Sequence, residues 1–136
     1  AYASATALIR QSRQAMVAHP DSAMWRIAGT LDNVDGRTAF DAMRTGDAVG
    51  REVVDRYIQY IACGLINVIN IFQPEVLCIG GGICKEGDTL LKPLEAHIAK
   101  ERYSKFSTHQ TRLCVATLGN DAGIIGAASL RDAISK

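Results

Sequence analysis

Between Ala48 and Phe72 the sequence carries its longest helical pattern, and the pattern changes character along its length. In the first half, Val53, Val54, Tyr57, Ile58 and Ile61 recur at helical spacing, while Arg51, Glu52, Asp55, Arg56 and Gln59 fill the other face. The second half, IACGLINVINIF, is apolar nearly all round. Such a helix is expected to enter a core along its length and to end buried. Gln73-Pro74-Glu75 stops it, because a residue before proline is biased away from the helical region. The next four residues, Val76 to Ile79 (VLCI), read as a fully buried strand of a parallel or mixed sheet, ended by Gly80-Gly81-Gly82. A long helix feeding a buried strand commits the chain to a layered α/β arrangement.

The flanking segments agree. Tyr2 to Val17 sets Ala5, Leu8, Ile9, Ala15 and Met16 near one helical face, and His19-Pro20-Asp21 closes it. A helical turn over Ser22 to Ile27 carries the single Trp25, and Gly29 to Gly36 reads as a loop. Thr38-Ala-Phe-Asp41 resembles a capping box with Asp in place of Glu, so a short helix is expected to about Thr45. Gly46 suits its end and Asp47 the N-cap of the long helix. After the glycines, a helix is expected over Asp88 to Arg102, with Pro93 forcing a late start or a kink. Tyr103 to Gln110 is a polar loop, Arg112 to Thr117 a second strand, and Ala122 to Ile134 a final helix.

Charge and cysteine usage exclude several functions. The net charge is +1, and bases are scattered among acids, so this segment lacks the basic stripe of a nucleic-acid surface. Cys63, Cys78, Cys84 and Cys114 form no CxxC and sit in apolar runs, which predicts small buried side chains in a reducing compartment. Their spacing to His19, His97 and His109 is too loose for a metal cluster, so no metal site is expected here. The sequence shows no signal peptide and no apolar run of membrane-spanning length, so the cytoplasm is the expected location. The chain opens at Ala1 in a helical pattern without a methionine, which suggests a piece of a longer protein.

The glycine run is where chemistry is expected. Glycines after a strand let the backbone turn sharply and approach a ligand closely, and the carboxyl ends of strands in open α/β sheets are where ligands bind. An ordinary tight turn is the plainer reading. Neither GxGxxG nor GxxxxGK[ST] occurs, so the dinucleotide and P-loop fingerprints are both missing.

The phrase NVINIFQPEVLCIGGGICKEGDTLLKPL resembles the adenosine-binding segment of the ROK (repressor, ORF, kinase) family. There a long helix delivers Asn-Pro-Glu, a strand and three glycines to a nucleotide; here Gln73 replaces the Asn. Cys84 falls where the wider sugar-kinase and actin-like superfamily often has Ser or Ala. LGNDAGIIGAASL is similar to the family's C-terminal signature, and AYASATALI to the stretch just after its zinc motif.

The resemblance implies the C-terminal part of an actin-like, ribonuclease-H-like ATPase domain, helix-rich with a small residual sheet. It implies a glucokinase-like transfer of phosphate from ATP, with magnesium, to a hexose, most often glucose. Gly80, Gly81, Gly82, Ile83 and Lys85 would shape the nucleotide pocket, with Glu86 beside them, although a solvated loop lysine is the plainer reading of Lys85. The phosphate loop, the catalytic Asp, the sugar contacts and the structural zinc motif would lie before Ala1, so this chain alone is expected to be inactive. Asn120-Asp121 mimics the family's catalytic pair but sits in the C-terminal signature, where Asp121 suits a helix cap. A sugar-responsive repressor of the same family is the alternative, and a ligand-free helical interaction module a third reading. Two strands are a marginal sheet, so a homo-oligomer, or contact with a missing N-terminal half, is expected.

Overall fold

A computed structural model describes residues 2–118 and 121–134. The order of elements is α1 (Ala5–Ala18), α2 (Ala23–Ala28), α3 (Thr38–Arg44), α4 (Ala48–Phe72), β1 (Val76–Ile79), a 3₁₀ turn (Gly82–Glu86), α5 (Asp88–Glu101), β2 (Arg112–Val115) and α6 (Ala122–Ile134).

The long helix organises the rest. Val53, Val54, Tyr57, Ile58, Ala62, Ile66 and Ile69 bury one stripe of α4 against Leu8 and Met16 of α1, Met24 of α2, Phe40 of α3, and Leu90, Leu94 and Ile98 of α5. Each large side chain buried here contributes about 1.5–3 kcal/mol relative to exposure. Asp47 fixes the start of α4: its carboxylate accepts from Gly50 N (2.8 Å), Ser22 Oγ (2.9 Å) and Ala23 N (3.2 Å). One side chain thus ties the first turns of α2 and α4 together. Partial burial opposes its charge, but these hydrogen bonds, helped by His19, outweigh that and hold its pKa below the ordinary carboxylate value.

At Gly46, φ is +88° and the N–H donates to Met43 O, so this glycine ends α3 as expected. Gly50 serves another purpose. A Cβ there would sit 2.8 Å from Ala42 Cβ and 2.9 Å from Ala39 O, so the bare backbone is what lets α4 pack hard against α3.

Several local expectations are corrected. The expected Thr38–Asp41 capping box does not form: Arg37 is the N-cap of α3 and makes no side-chain cap bond, and a reciprocal Asp35–Thr38 pair braces the turn just before it. Asp35 Oδ1 accepts from Thr38 N (3.0 Å), and Thr38 Oγ1 accepts from Asp35 N (3.1 Å). Asp41 instead pairs with Arg44 at 2.7 Å. The first helix begins at Ala5 because Ser4 caps it, accepting from Ala7 N. Pro93 does not delay α5, which starts at Asp88; the proline lies inside the helix and deprives the Thr89 carbonyl of its usual donor.

Strands β1 and β2 pair in parallel, with Val76 opposite Arg112 and Cys78 opposite Cys114, and α5 connects them. The ladder ends at Ala116 N to Ile79 O, so β2 stops at Val115, short of the expected Thr117, because β1 offers no further partner. The expected full burial of VLCI is not met. Leu77 and Ile79 face the core, whereas Val76 is exposed and Cys78 beside it is open. Nor does α4 end buried: Ile71 and Phe72 are 72% and 74% exposed. Both reflect one fact, that the described residues cover only one side of the sheet and of this helix end. Nor is any cysteine fully buried, contrary to expectation: Cys63 and Cys78 are exposed, Cys84 and Cys114 half-buried.

Candidate functional site

The glycine run leaves the carboxyl end of β1 and is exposed throughout Gly80, Gly81 and Gly82. Gly81 has φ +99°, a conformation other residues rarely adopt, and no atom stands within 4 Å of where a Cβ would be on any of the three. The backbone here therefore presents an open edge to whatever approaches. The chain then tightens into the 3₁₀ turn, with Cys84 N donating to Gly81 O (3.1 Å) and the Cys84 thiol to Ile79 O (3.2 Å). A second glycine of positive φ, Gly87 (+54°), releases the turn into α5, and its carbonyl accepts from Leu90 N and Leu91 N.

Beside this loop lies a cleft of about 250 Å³ lined by Gly82, Ile83, Lys85 and Glu86 on one wall. The other wall consists of Ala5 and Leu8 from α1, Gly36 and Arg37 ahead of α3, and Tyr57 from α4. Its floor is apolar, and Lys85 and Arg37 bring two cations to its lining. Tyr57 is buried, its hydroxyl donates to Ala3 O (3.3 Å), and burial pushes its pKa above the ordinary phenol value. It stays a neutral donor.

The structure thus brings together Gly82, Ile83 and Lys85, with Gly80 and Gly81 at the end of β1 adjoining them. Sequence reasoning did not find Arg37, Tyr57 or Arg44. Arg44 forms an ion pair with Glu86 from 42 residues away, and this hydrogen bond is the first cause that raises the Arg44 pKa. That a short helix starts at Thr38 was readable; its capping, and that α3 faces the glycine loop, were not.

The thiols offer little chemistry. A hydrogen bond with Cys114 raises the Cys78 pKa, and burial raises that of Cys84, so both remain protonated. Among the described residues no three His, Cys, Asp or Glu side chains gather as a metal site, and no helix is long and apolar enough to cross a membrane. Asp121, exposed, directly precedes α6, and its N–H donates to Leu118 O (3.1 Å); Asn120 lies outside the described residues.

Comparison with known proteins matches this architecture to one family. The family model described as the ROK family matches residues 1–134. Glucokinase from Thermotoga maritima is 35% identical over 131 residues, which are 96% of this chain and 41% of that protein. Glucokinase from Halalkalibacterium halodurans is 34% identical, covering 91% of this chain and 37% of that one. A ROK family glucokinase from Streptomyces griseus, solved with glucose and AMPPNP, superposes with a TM-score of 0.80 at 29% identity, over 95% of this chain and 42% of that one. The fold is a helix-rich part of the actin-like ATPase type, with a small parallel sheet. The chain belongs to the ROK family. It spans about two-fifths of the length of these relatives.

Proposed function

We propose that this chain is the C-terminal, nucleotide-side portion of an ATP-dependent hexose kinase, with glucose as the first candidate substrate. The observation that carries the reading is the open glycine edge at Gly80 to Gly82, set at the carboxyl end of a parallel strand in a chain similar to glucokinases. Phosphoryl transfer asks a protein mainly for positioning and charge stabilisation. Here the glycine backbone would lie against the nucleoside and Ile83 would supply apolar contact. Lys85 and Arg37 would bring positive charge to the same cleft.

Bound MgATP would supply the phosphoryl group and the metal that neutralises its charge. The glycine edge and the cations Lys85 and Arg37, with Glu86 of the same lining neutralised by Arg44, suit such a polyanionic ligand; the described residues provide no acidic cluster for its metal. By its resemblance to the family, the catalytic base and sugar contacts would fall to the remainder of a longer protein, and this chain alone is inactive in the proposal. That remainder, or a second copy of the chain, would also cover Ile71, Phe72 and Val76. Such an enzyme would work in the cytoplasm, where ATP is available.

The test is ADP release by the longer protein, with MgATP and a panel of hexoses, in wild type and Gly81→Ala. Turnover with one hexose supports the kinase and names its substrate. A methyl group at φ +99° strains the loop, so Gly81→Ala should raise the ATP KM about tenfold and leave the hexose KM within about twofold. A folded wild-type protein that binds sugar but turns over none of the panel would contradict the reading and favour a sugar-responsive repressor.

A further inference from the structure

Between Gly81 and Gly87, two residues of positive φ, the five-residue turn Gly82–Glu86 hangs on conformationally permissive hinges. The internal bonds of the turn, Cys84 N to Gly81 O, Gly87 N to Cys84 O and the Cys84 thiol to Ile79 O, hold its shape. They leave its placement over the cleft to other contacts. Ile83 packs partly against the core from one side. From the other, Glu86 reaches across to Arg44 at the end of α3.

The character of that pair differs from the surface pairs elsewhere. The Glu86 side chain is only 8% exposed, whereas both members of Glu52–Arg56 and of Asp88–Lys92 are more than half exposed. Arg44 itself is 45% exposed, so the pair is half-buried, but removing Arg44 would leave the shielded Glu86 carboxylate without its partner. Arg44 is in turn held at 2.7 Å by Asp41, so its guanidinium bridges two carboxylates and is fixed from both ends. Glu86 and its neighbour Lys85 line the same cleft as Gly82 and Ile83.

We propose that the Arg44–Glu86 ion pair positions the glycine loop, locking the turn Gly82–Glu86 against α3 so that the loop backbone meets the nucleotide at a fixed place. The proposal rests on the nucleotide reading above. Glu86 and Arg44 are positioning residues: they act through the backbone of Gly80 to Gly82 and the side chain of Lys85.

The experiment is steady-state kinetics on the longer protein carrying Glu86→Gln, Arg44→Met, both together, and Arg44→Lys, with amide hydrogen exchange on the same samples. Each of the first two variants should raise the ATP KM about tenfold while the hexose KM and kcat move less than about twofold. The double variant should be no worse than either single one, because both remove the same interaction. Arg44→Lys, which keeps the charge, should recover much of the loss and serves if the other variants fold poorly. Exchange should quicken at residues 83–87 and stay unchanged in α4. An unchanged ATP KM in folded variants of an active enzyme would overturn the clamp and leave the nucleotide reading standing. So would a uniform loss in both KM values and kcat accompanied by a lower melting temperature. A wild-type protein without nucleotide turnover or binding would overturn both.

Discussion

The contact between α3 and α4 predicts that one substitution has opposite signs at two places in a single helix. Replacing glycine by alanine inside a helix ordinarily stabilises it by about 0.5–1 kcal/mol. At Gly64, exposed in the middle of α4, no atom lies within 4 Å of the new Cβ, so the full gain is expected. At Gly50 the same methyl would come within 2.8 Å of Ala42 Cβ, 2.9 Å of Ala39 O and 3.0 Å of Met43 N. None of these is the end of a flexible side chain; two are backbone atoms of α3. The helices must move apart, and overpacking of this kind costs about 1–3 kcal/mol. After the propensity gain, Gly50→Ala should lose up to about 2 kcal/mol, while Gly64→Ala gains up to about 1 kcal/mol. The propensity gain cancels between the two, so the difference, roughly 1–3 kcal/mol, is read as separated urea midpoints with unchanged m-values. If Gly50→Ala were as stable as Gly64→Ala, the close packing of α3 on α4 would be refuted.

Two other changes test local physics. Asp47→Ala should cost about 1–2 kcal/mol in a denaturant melt, because it removes the cap of α4 together with the acceptor for Ser22 and Ala23. The Asp47 pKa is lowered in the folded protein, so its stabilisation is fully present above the ordinary carboxylate value near 3.9. It is lost as pH falls through the lower, folded value, and in Asp47→Asn this share of the acid loss should vanish from a stability–pH profile. Gln73 ends α4 in the left-handed conformation (φ 44°), which costs a residue with a Cβ about 1 kcal/mol, so Gln73→Gly should raise the melting temperature and Gln73→Val lower it.

Much of the fold was legible because its punctuation is local. Asp47 and the proline after Gln73 delimit α4 at Ala48 and Phe72, and the glycines delimit β1 at Ile79. Ser4 could have placed the start of α1, since a serine ahead of ATAL is a cap signal. The features that stayed hidden depend on partners distant in sequence. Val76, Ile71 and Phe72 are as apolar as the residues that pack inward, yet they are exposed, because apolarity alone does not tell which side is covered. At the candidate site, Gly80 to Gly82 stand out from the strand that precedes them, and Ile83 and Lys85 enter only through family resemblance. Arg37, Tyr57 and Arg44 arrive from α4 and from in and around α3, through tertiary packing that no nearby motif signals.

The most direct test of the nucleotide assignment is amide hydrogen exchange on the longer protein with and without AMPPNP. Saturating AMPPNP should slow exchange across Gly80 to Glu86, with smaller effects near Arg37. Binding of AMPPNP that protects other segments and leaves this loop exchanging as before would contradict the assignment.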